Sequence, residues 1–200
     1  MKMLDTLAEL EAIFDAPVPT SLKKVVERLT PAYQSWIGQS RFCILSTVGP
    51  EGTDASPRGD IDPVARIVDD RTLAIPDWRG NNRIDSLRNI MRDPRVSLMF
   101  MVPGSNNVVR VNGTARLTAD PVVTGSYEQS GKHPKVVIVV TLAEAYFQCA
   151  KAAMRSGLWG DQAAPEGLPR AGDFLKEADA DFDAATYEAT YAQRAKDIMW

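Results

Sequence analysis

The feature that most constrains the fold is a run of alternating side chains at residues 107–117. Val109, Val111, Gly113, Ala115 and Leu117 alternate there with Arg110, Asn112, Thr114 and Arg116. Such alternation places apolar side chains on one face of a strand and polar side chains on the other. A strand with one wet face is typical of antiparallel sheets. The sequence therefore predicts a fold built on an antiparallel sheet.

Other segments also have the composition of strands. They are residues 41–48, 64–68, 71–75, 95–102 and 135–141. Residues 53–60 are polar, and Pro57 favours an edge or a bulge there. Because one short helix, between residues 75 and 95, interrupts these segments, the pattern favours an antiparallel barrel over a βαβ fold. No glycine pattern of a Rossmann or P-loop nucleotide site is present.

The rest of the chain has helical patterns, so the predicted fold class is α+β, mainly β with flanking helices. Two hundred residues suit a single domain. We divide it into N-terminal helices (1–37), a split barrel (38–141) and C-terminal helices (142–200). The N-terminal helices carry apolar stripes and are expected to cover the core. Residues 142–156 have apolar positions at helical spacing and are expected to form one helix.

Composition excludes several classes of function. A net charge of −3 offers no general attraction for nucleic acid or anionic membranes. No apolar run approaches the roughly 20 residues that span a bilayer. The acidic N-terminal segment lacks the basic region and apolar core of a signal peptide. Cys43 and Cys149 lie in apolar segments and are expected to be buried, reduced thiols. We expect a cytoplasmic protein.

The chain offers little acid–base or metal chemistry of its own. Its one histidine, His133, lies in a polar segment typical of a surface loop, which makes a nucleophile–histidine arrangement improbable. Without a cluster of histidines or cysteines, no metal site is expected. Catalytic side chains are therefore unknown at this point. A cofactor can still supply redox chemistry to such a chain.

Loop cations instead indicate an anion site. Asn81 and Asn82 lie in a tight polar loop, and Arg83 is expected in the first turn of the helix that follows. Free N–H groups at a helix start, together with an arginine, suit a phosphate. The alternative is that Arg83 simply points into water. Arg58 lies between a proline and a glycine; its alternative is an ion pair with one of two nearby aspartates, Asp60 or Asp62.

Two further sets of residues have alternative interpretations. Lys151 and Arg155 lie on one face of the predicted helix, with Trp159 one turn further. These cations face solvent if no second subunit covers them. Trp78, beside the polar loop, is either a stacking group for a planar ligand or a hydrophobic lid.

Six motifs occur in one order: residues 54–60 (DASPRGD), 69–77 (DDRTLAIPD), 80–90 (GNNRIDSLRNI), 93–100 (DPRVSLMF), 110–117 (RVNGTARL) and 148–159 (QCAKAAMRSGLW). Over about residues 38–160 the chain thereby resembles the FMN-binding split barrels related to pyridoxamine 5′-phosphate oxidase. Within that superfamily it is most similar to an uncharacterised branch of predicted flavin-nucleotide-binding proteins.

The resemblance implies a homodimer that binds FMN at its interface. Matching positions would hold the phosphate through Arg58, Asn81, Asn82 and Arg83. The flavin ring would lie along the main chain of Ile75, Pro76 and Asp77. The partner subunit would contribute Lys151, Arg155 and Trp159.

The activity implied is that of a flavin-dependent oxidoreductase acting on a small molecule, with a nicotinamide nucleotide as a candidate electron donor. One alternative is a flavin-binding protein for storage or sensing, without turnover. Another is a relative that binds deazaflavin or haem.

The sequence also departs from the family pattern at two places. Residues 61–68 read IDPVARIV, without the Pro-Gly-Phe expected in the nearest branch. The chain ends in IMW and lacks the C-terminal Arg-x-His-like substrate motif of true pyridoxamine phosphate oxidases. Oxidation of pyridoxamine phosphate is therefore not the expected reaction.

Overall fold

A computed structural model describes residues 1–161 and 163–200. The seven strands are β1 (Phe42–Gly49), β2 (Gly52–Gly59), β3 (Arg66–Ile67), β4 (Thr72–Asp77), β5 (Arg95–Met101), β6 (Val108–Thr118) and β7 (Val136–Gln148). They form one sheet in the order β2-β1-β5-β6-β7-β4-β3, and every named pair is antiparallel. The predicted antiparallel sheet is confirmed, and β2, which contains Pro57, is an edge strand.

Eight helices flank the sheet in the described part of the chain. They are α1 (Leu7–Glu11), α2 (Pro19–Lys23), α3 (Pro31–Ile37), α4 (Asp85–Arg92), α5 (Pro121–Thr124), α6 (Lys151–Ser156), α7 (Ala171–Ala178) and α8 (Ala184–Asp197). The main core is formed by the inner sheet face together with α4, whose Leu87 and Ile90 are buried against it. Phe100 and Leu98, both fully buried, mark its centre.

The prediction of one helix over residues 142–156 was wrong for its first half. β7 continues to Gln148, and α6 begins only at Lys151. The pairing of β6 with β7 shifts register beside Asn112 and Gly113, because Gly113 pairs with Leu142 while Asn112 pairs with Glu144. The barrel strand therefore crosses the boundary that we placed between residues 141 and 142. Treating the whole chain as a single domain remains a prediction.

The first two N-terminal helices do not cover the core as expected, whereas α3 packs against it through Trp36 and Ile37. Neither α1 nor α2 buries a side chain, and Leu7 and Phe14 are 67% and 69% exposed. The contact with the barrel begins further along, where Val26 forms a bridge with Ala145 and where Leu29 and Ile37 are buried. In the part of the chain that the structure describes, the apolar side chains Leu7 and Leu10 of α1 remain exposed.

The two cysteines have opposite environments, which corrects the expectation that both are buried. Cys43 is fully buried in β1, and burial raises the pKa of its thiol to about 12, although Arg58 opposes the rise. Cys149 is exposed. Since the thiolate is the reactive form, a disulfide reagent should modify Cys149 rapidly and Cys43 only when the protein unfolds.

Ellman's reagent measures this directly as one fast thiol per native chain and a second after addition of denaturant. In a Cys149→Ser variant, the fast reaction of the native chain should disappear, and the thiol that reacts after addition of denaturant should remain. Rapid modification of both thiols in the native protein would contradict the buried position of Cys43.

Candidate functional site

A cleft of about 1230 Å³ opens between β2, the end of β4, the loop leading to α4 and the start of β7. Six of the ten predicted site residues line it: Arg58, Pro76, Asp77, Asn81, Asn82 and Arg83. These residues come from three separate segments of the chain. The fold therefore brings the predicted phosphate residues and the end of β4 to one place.

Arg58 is tied to the wall of this cleft. It lies opposite Cys43 in the β1–β2 ladder, and its guanidinium forms an ion pair with Asp77, the last residue of β4. Both side chains are largely buried, with 18% and 20% exposure. The alternative pairing with Asp60 or Asp62 is wrong. Within the described chain, the buried Nε of Arg58 has no hydrogen-bond partner.

The loop before α4 has an unusual backbone. Asn82 and Ile84 both have positive φ, at 61° and 52°, and the Arg83 N–H donates to Oδ1 of Asn81 at 3.0 Å. The helix begins at Asp85, so placing Arg83 in its first turn was wrong. The Arg83 guanidinium is 77% exposed and binds the Asp85 carboxylate at 2.8 Å. Arg83 thus already has an anionic partner.

The three residues at the end of β4 have different roles in the core and in the cleft. Ile75 is fully buried and pairs with Ile138 of β7, so its side chain belongs to the core. Pro76 is also buried, although it lines the cleft, and Asp77 holds Arg58. Main-chain contact between this strand and a flavin ring stays a prediction.

The cleft of this protomer does not include Lys151, Arg155 or Trp159. Lys151 and Arg155 lie on α6 and are exposed, and Trp159, just beyond the helix, is half-buried. Their contribution to a partner subunit's site stays a prediction.

Trp78 forms part of the cleft wall through two contacts. Its indole N–H donates to the Asp60 carboxylate at 2.6 Å. The ring of Trp200 meets it edge-on, with 5.3 Å between ring centroids. A smaller cavity of about 430 Å³ shares Asp60, Pro76 and Trp78 with the cleft and extends to Gln129. Trp78 thus separates two spaces and is covered by the C-terminal segment.

Comparison with known proteins now identifies the family. The model of the family described as pyridoxamine 5′-phosphate oxidase matches residues 29–149, more than half of the chain. The chain belongs to the pyridoxamine 5′-phosphate oxidase family. The antiparallel sheet with flanking helices is the split barrel of that family. A search of curated proteins found no match.

Solved structures of similar fold share little sequence with this family member. A proposed pyridoxamine 5′-phosphate oxidase from Lactobacillus delbrueckii is 21% identical, with 60% of this chain and 95% of that chain covered and a TM-score of 0.49. HupZ from Group A Streptococcus is 16% identical, with 58% and 91% covered and a TM-score of 0.48. A similar protein from Listeria innocua is 19% identical, with 58% and 94% covered and a TM-score of 0.42.

One wall of the cleft is formed by residues that were not among the predicted site residues. Lys132, His133 and Lys135 line it from the segment that enters β7. Their position depends on the pairing of β7 with β4, in which Val136 lies opposite Asp77. The available signal was three basic side chains within four residues directly after a Ser-Gly turn. The polar composition of the segment predicts a surface loop, and all three side chains are indeed exposed.

In residues 1–161 and 163–200, no three histidine, cysteine or acidic side chains lie together as a metal ion would require. No helix described for this family member is long and apolar enough to cross a membrane.

Proposed function

We propose that this protein binds FMN without a covalent link and acts as a flavin-dependent oxidoreductase on a small molecule. It would do so in the cytoplasm as a homodimer in which the partner subunit closes the cleft. One observation carries the proposal: a pyridoxamine 5′-phosphate oxidase family chain brings Arg58, Pro76 and residues 81–83 to a single large cleft.

The residues present fit a phosphate-bearing planar cofactor. Among the residues that the structure describes, the buried Nε of Arg58 has no hydrogen-bond partner, and a buried donor without one is costly unless a ligand supplies an acceptor. A phosphate beside it would accept this hydrogen bond, and Asn81 and Asn82 would add side-chain amides. Pro76 and Trp78 offer apolar surface for a ring. The cleft volume of about 1230 Å³ is sufficient for a nucleotide.

FMN supplies hydride and single-electron transfer when bound. The side chains of this chain would hold and orient it. Arg58 is itself fixed by Asp77, so its guanidinium is already placed before a ligand arrives. Trp78, held by Asp60 and covered by Trp200, would restrict access of water to one side of the cleft.

The absorption spectrum of the purified protein tests the proposal. We expect a flavin spectrum, either as isolated or after mixing with FMN, and release of FMN on denaturation. Light scattering should give the mass of two chains. Reduction by NADH or NADPH above the rate of free flavin would support turnover, whereas tight binding without such reduction would favour storage or sensing. A colourless protein that gains no flavin spectrum with FMN contradicts the proposal.

Arg83→Ala should weaken FMN binding only modestly, by less than about tenfold, because the exposed Arg83 is already paired with Asp85. Fluorescence titration with FMN measures this. Arg92→Ala, which removes an arginine from the other end of the same helix, where it pairs with Glu51 away from the cleft, is the matched control and should leave the affinity unchanged. A loss of 100-fold or more for Arg83→Ala, roughly 2.7 kcal/mol, would show that Arg83 leaves Asp85 to bind the phosphate.

A further inference from the structure

The segment that carries Lys132, His133 and Lys135 has a defined turn at its start. The N–H of Gln129 donates to the carbonyl of Lys132 at 3.0 Å, and the N–H of Lys132 donates back to the carbonyl of Gln129 at 2.9 Å. The two residues between them, Ser130 and Gly131, both have positive φ, at 51° and 73°. This is the backbone of a tight hairpin turn, which fixes the direction of the chain that follows.

Contacts with the barrel hold the same segment in place. Nδ1 of His133 donates to the Tyr127 carbonyl at 2.5 Å. Among the described residues Nε2 has no such contact, and it donates to a ligand when the ring carries its second proton. Pro134 is buried. The side-chain amide of Gln129 donates to Asp60 at 3.1 Å and to Asp62 at 2.9 Å. The backbone carrying the basic side chains is therefore ordered before any ligand binds.

Charge within the cleft is distributed unevenly. Asp77 is paired with Arg58, and Asp85 with Arg83. Over residues 1–161 and 163–200, Lys132 and Lys135 form no ion pair with a carboxylate. The ammonium groups on the β7 side of the cleft are thus available to a ligand.

The remaining carboxylates of the cleft accept hydrogen bonds from neutral donors. Asp60 accepts from Trp78 and Gln129, and Asp54 accepts from Ser86. Both keep their negative charge. Among the described residues, the four acidic side chains of the cleft therefore face five cationic ones, which are Arg58, Arg79, Arg83, Lys132 and Lys135. Cations that form no ion pair attract anions in a concave site. Because their backbone is ordered, little freedom is lost when an anion binds.

We propose that Lys132, His133 and Lys135 form a second anion subsite in the cleft, separate from the phosphate site at Arg58. It takes an oxyanion, phosphate or carboxylate, carried by the small molecule that binds beside the flavin. The proposal rests on the proposed function, since the flavin phosphate is assigned to the other wall. It narrows the substrate class to anionic compounds, because the two ammonium groups offer point donors for oxygen and His133 adds a third donor when its ring is an imidazolium.

His133 provides the measurement, because it is the sole histidine of the chain. Its imidazole signals in NMR need no assignment and report on the subsite directly. We would titrate the protein, with and without saturating FMN, with inorganic phosphate and separately with acetate, at constant pH and ionic strength. A saturable shift of the imidazole signals by either anion, present also in the FMN-saturated protein, is expected. The anion that produces the shift distinguishes a phosphate from a carboxylate subsite.

Variants separate a specific site from general charge effects. Lys132→Ala/Lys135→Ala should weaken the anion by at least about tenfold, since two charged donors are lost. Lys2→Ala/Lys23→Ala removes the same charge from exposed positions outside the cleft and should leave the affinity unchanged.

Two outcomes overturn the proposal. One is the absence of a saturable shift with both anions. The other is a shift that FMN abolishes, which would assign these lysines to the phosphate of FMN itself. Failure of the proposed function would be visible separately, as a protein that does not retain FMN. The titration without FMN would then still decide whether the two lysines bind an anion.

Discussion

Gly113→Ala is expected to destabilise the protein by about 3 kcal/mol or more, since overpacking against rigid backbone exceeds the usual cost of an added methyl group. Gly113 lies where β6 meets the register shift of β7. A Cβ atom there would overlap the carbonyl oxygen of Thr141 and would lie 3.2 Å from the amide nitrogen of Ala143. Both obstacles are backbone atoms of the central β6–β7 pair, so neither can move without breaking the ladder.

Urea denaturation followed by circular dichroism measures this effect. Gly80→Ala is the matched control, because nothing lies within 4 Å of a Cβ atom at that loop position. It should change the free energy of unfolding by less than about 0.5 kcal/mol. Equal stability of the two variants would contradict the close approach of β7 to Gly113.

Arg58→Met is expected to lower both stability and affinity for FMN. It leaves the Asp77 carboxylate largely buried without its cation. Removing one member of a fully buried pair costs about 3–5 kcal/mol, and with a fifth of each side chain exposed we expect about 2–3 kcal/mol here. FMN affinity should fall at least about tenfold, because a hydrogen bond from a charged group to the phosphate is lost.

The double variant Arg58→Met/Asp77→Asn separates the two effects. Because the unpaired charge is gone, the free energy of unfolding should recover by at least about 1 kcal/mol. FMN affinity should remain low, since Arg58 is still absent. Recovery of FMN binding together with stability would mean that Arg58 only supports the fold and does not bind the cofactor.

The sheet was predictable from local patterns because most strands carry their own signal. The alternation of residues 107–117 corresponds to β6, and the apolar run at 41–48 corresponds to β1. β7 shows why such patterns also fail. Leu142 and Ala145 are three residues apart, yet the register shift allows both to be buried in one strand. Three residues is also the spacing of apolar positions on one face of a helix. The apolar spacing in this irregular strand therefore matched the pattern of a helix.

The candidate site was only partly predictable, for a different reason. Asn81 and Asn82 stand out because glycine and asparagine mark a loop, and Arg58 stands out because Pro57 restricts its strand to an edge of the sheet. Lys132 and Lys135 also lie beside a glycine and a proline, but no local pattern shows that they reach the cleft, because the pairing of β7 with β4 brings them there. Likewise, the ion pair of Arg58 with Asp77 joins residues 19 positions apart, whereas we had considered only nearer partners.

The two ends of the sheet have a consequence for how the protein behaves at high concentration. An open strand edge is a template for pairing with another chain, and long, flat, apolar edges promote aggregation. Here β3 is only two residues long, and β2 contains Pro57, which has no N–H to donate, between charged Asp54 and Arg58. Neither edge offers a continuous ladder to a neighbouring molecule. The edge strand that carries the arginine of the cleft is therefore also protected against intermolecular β-pairing.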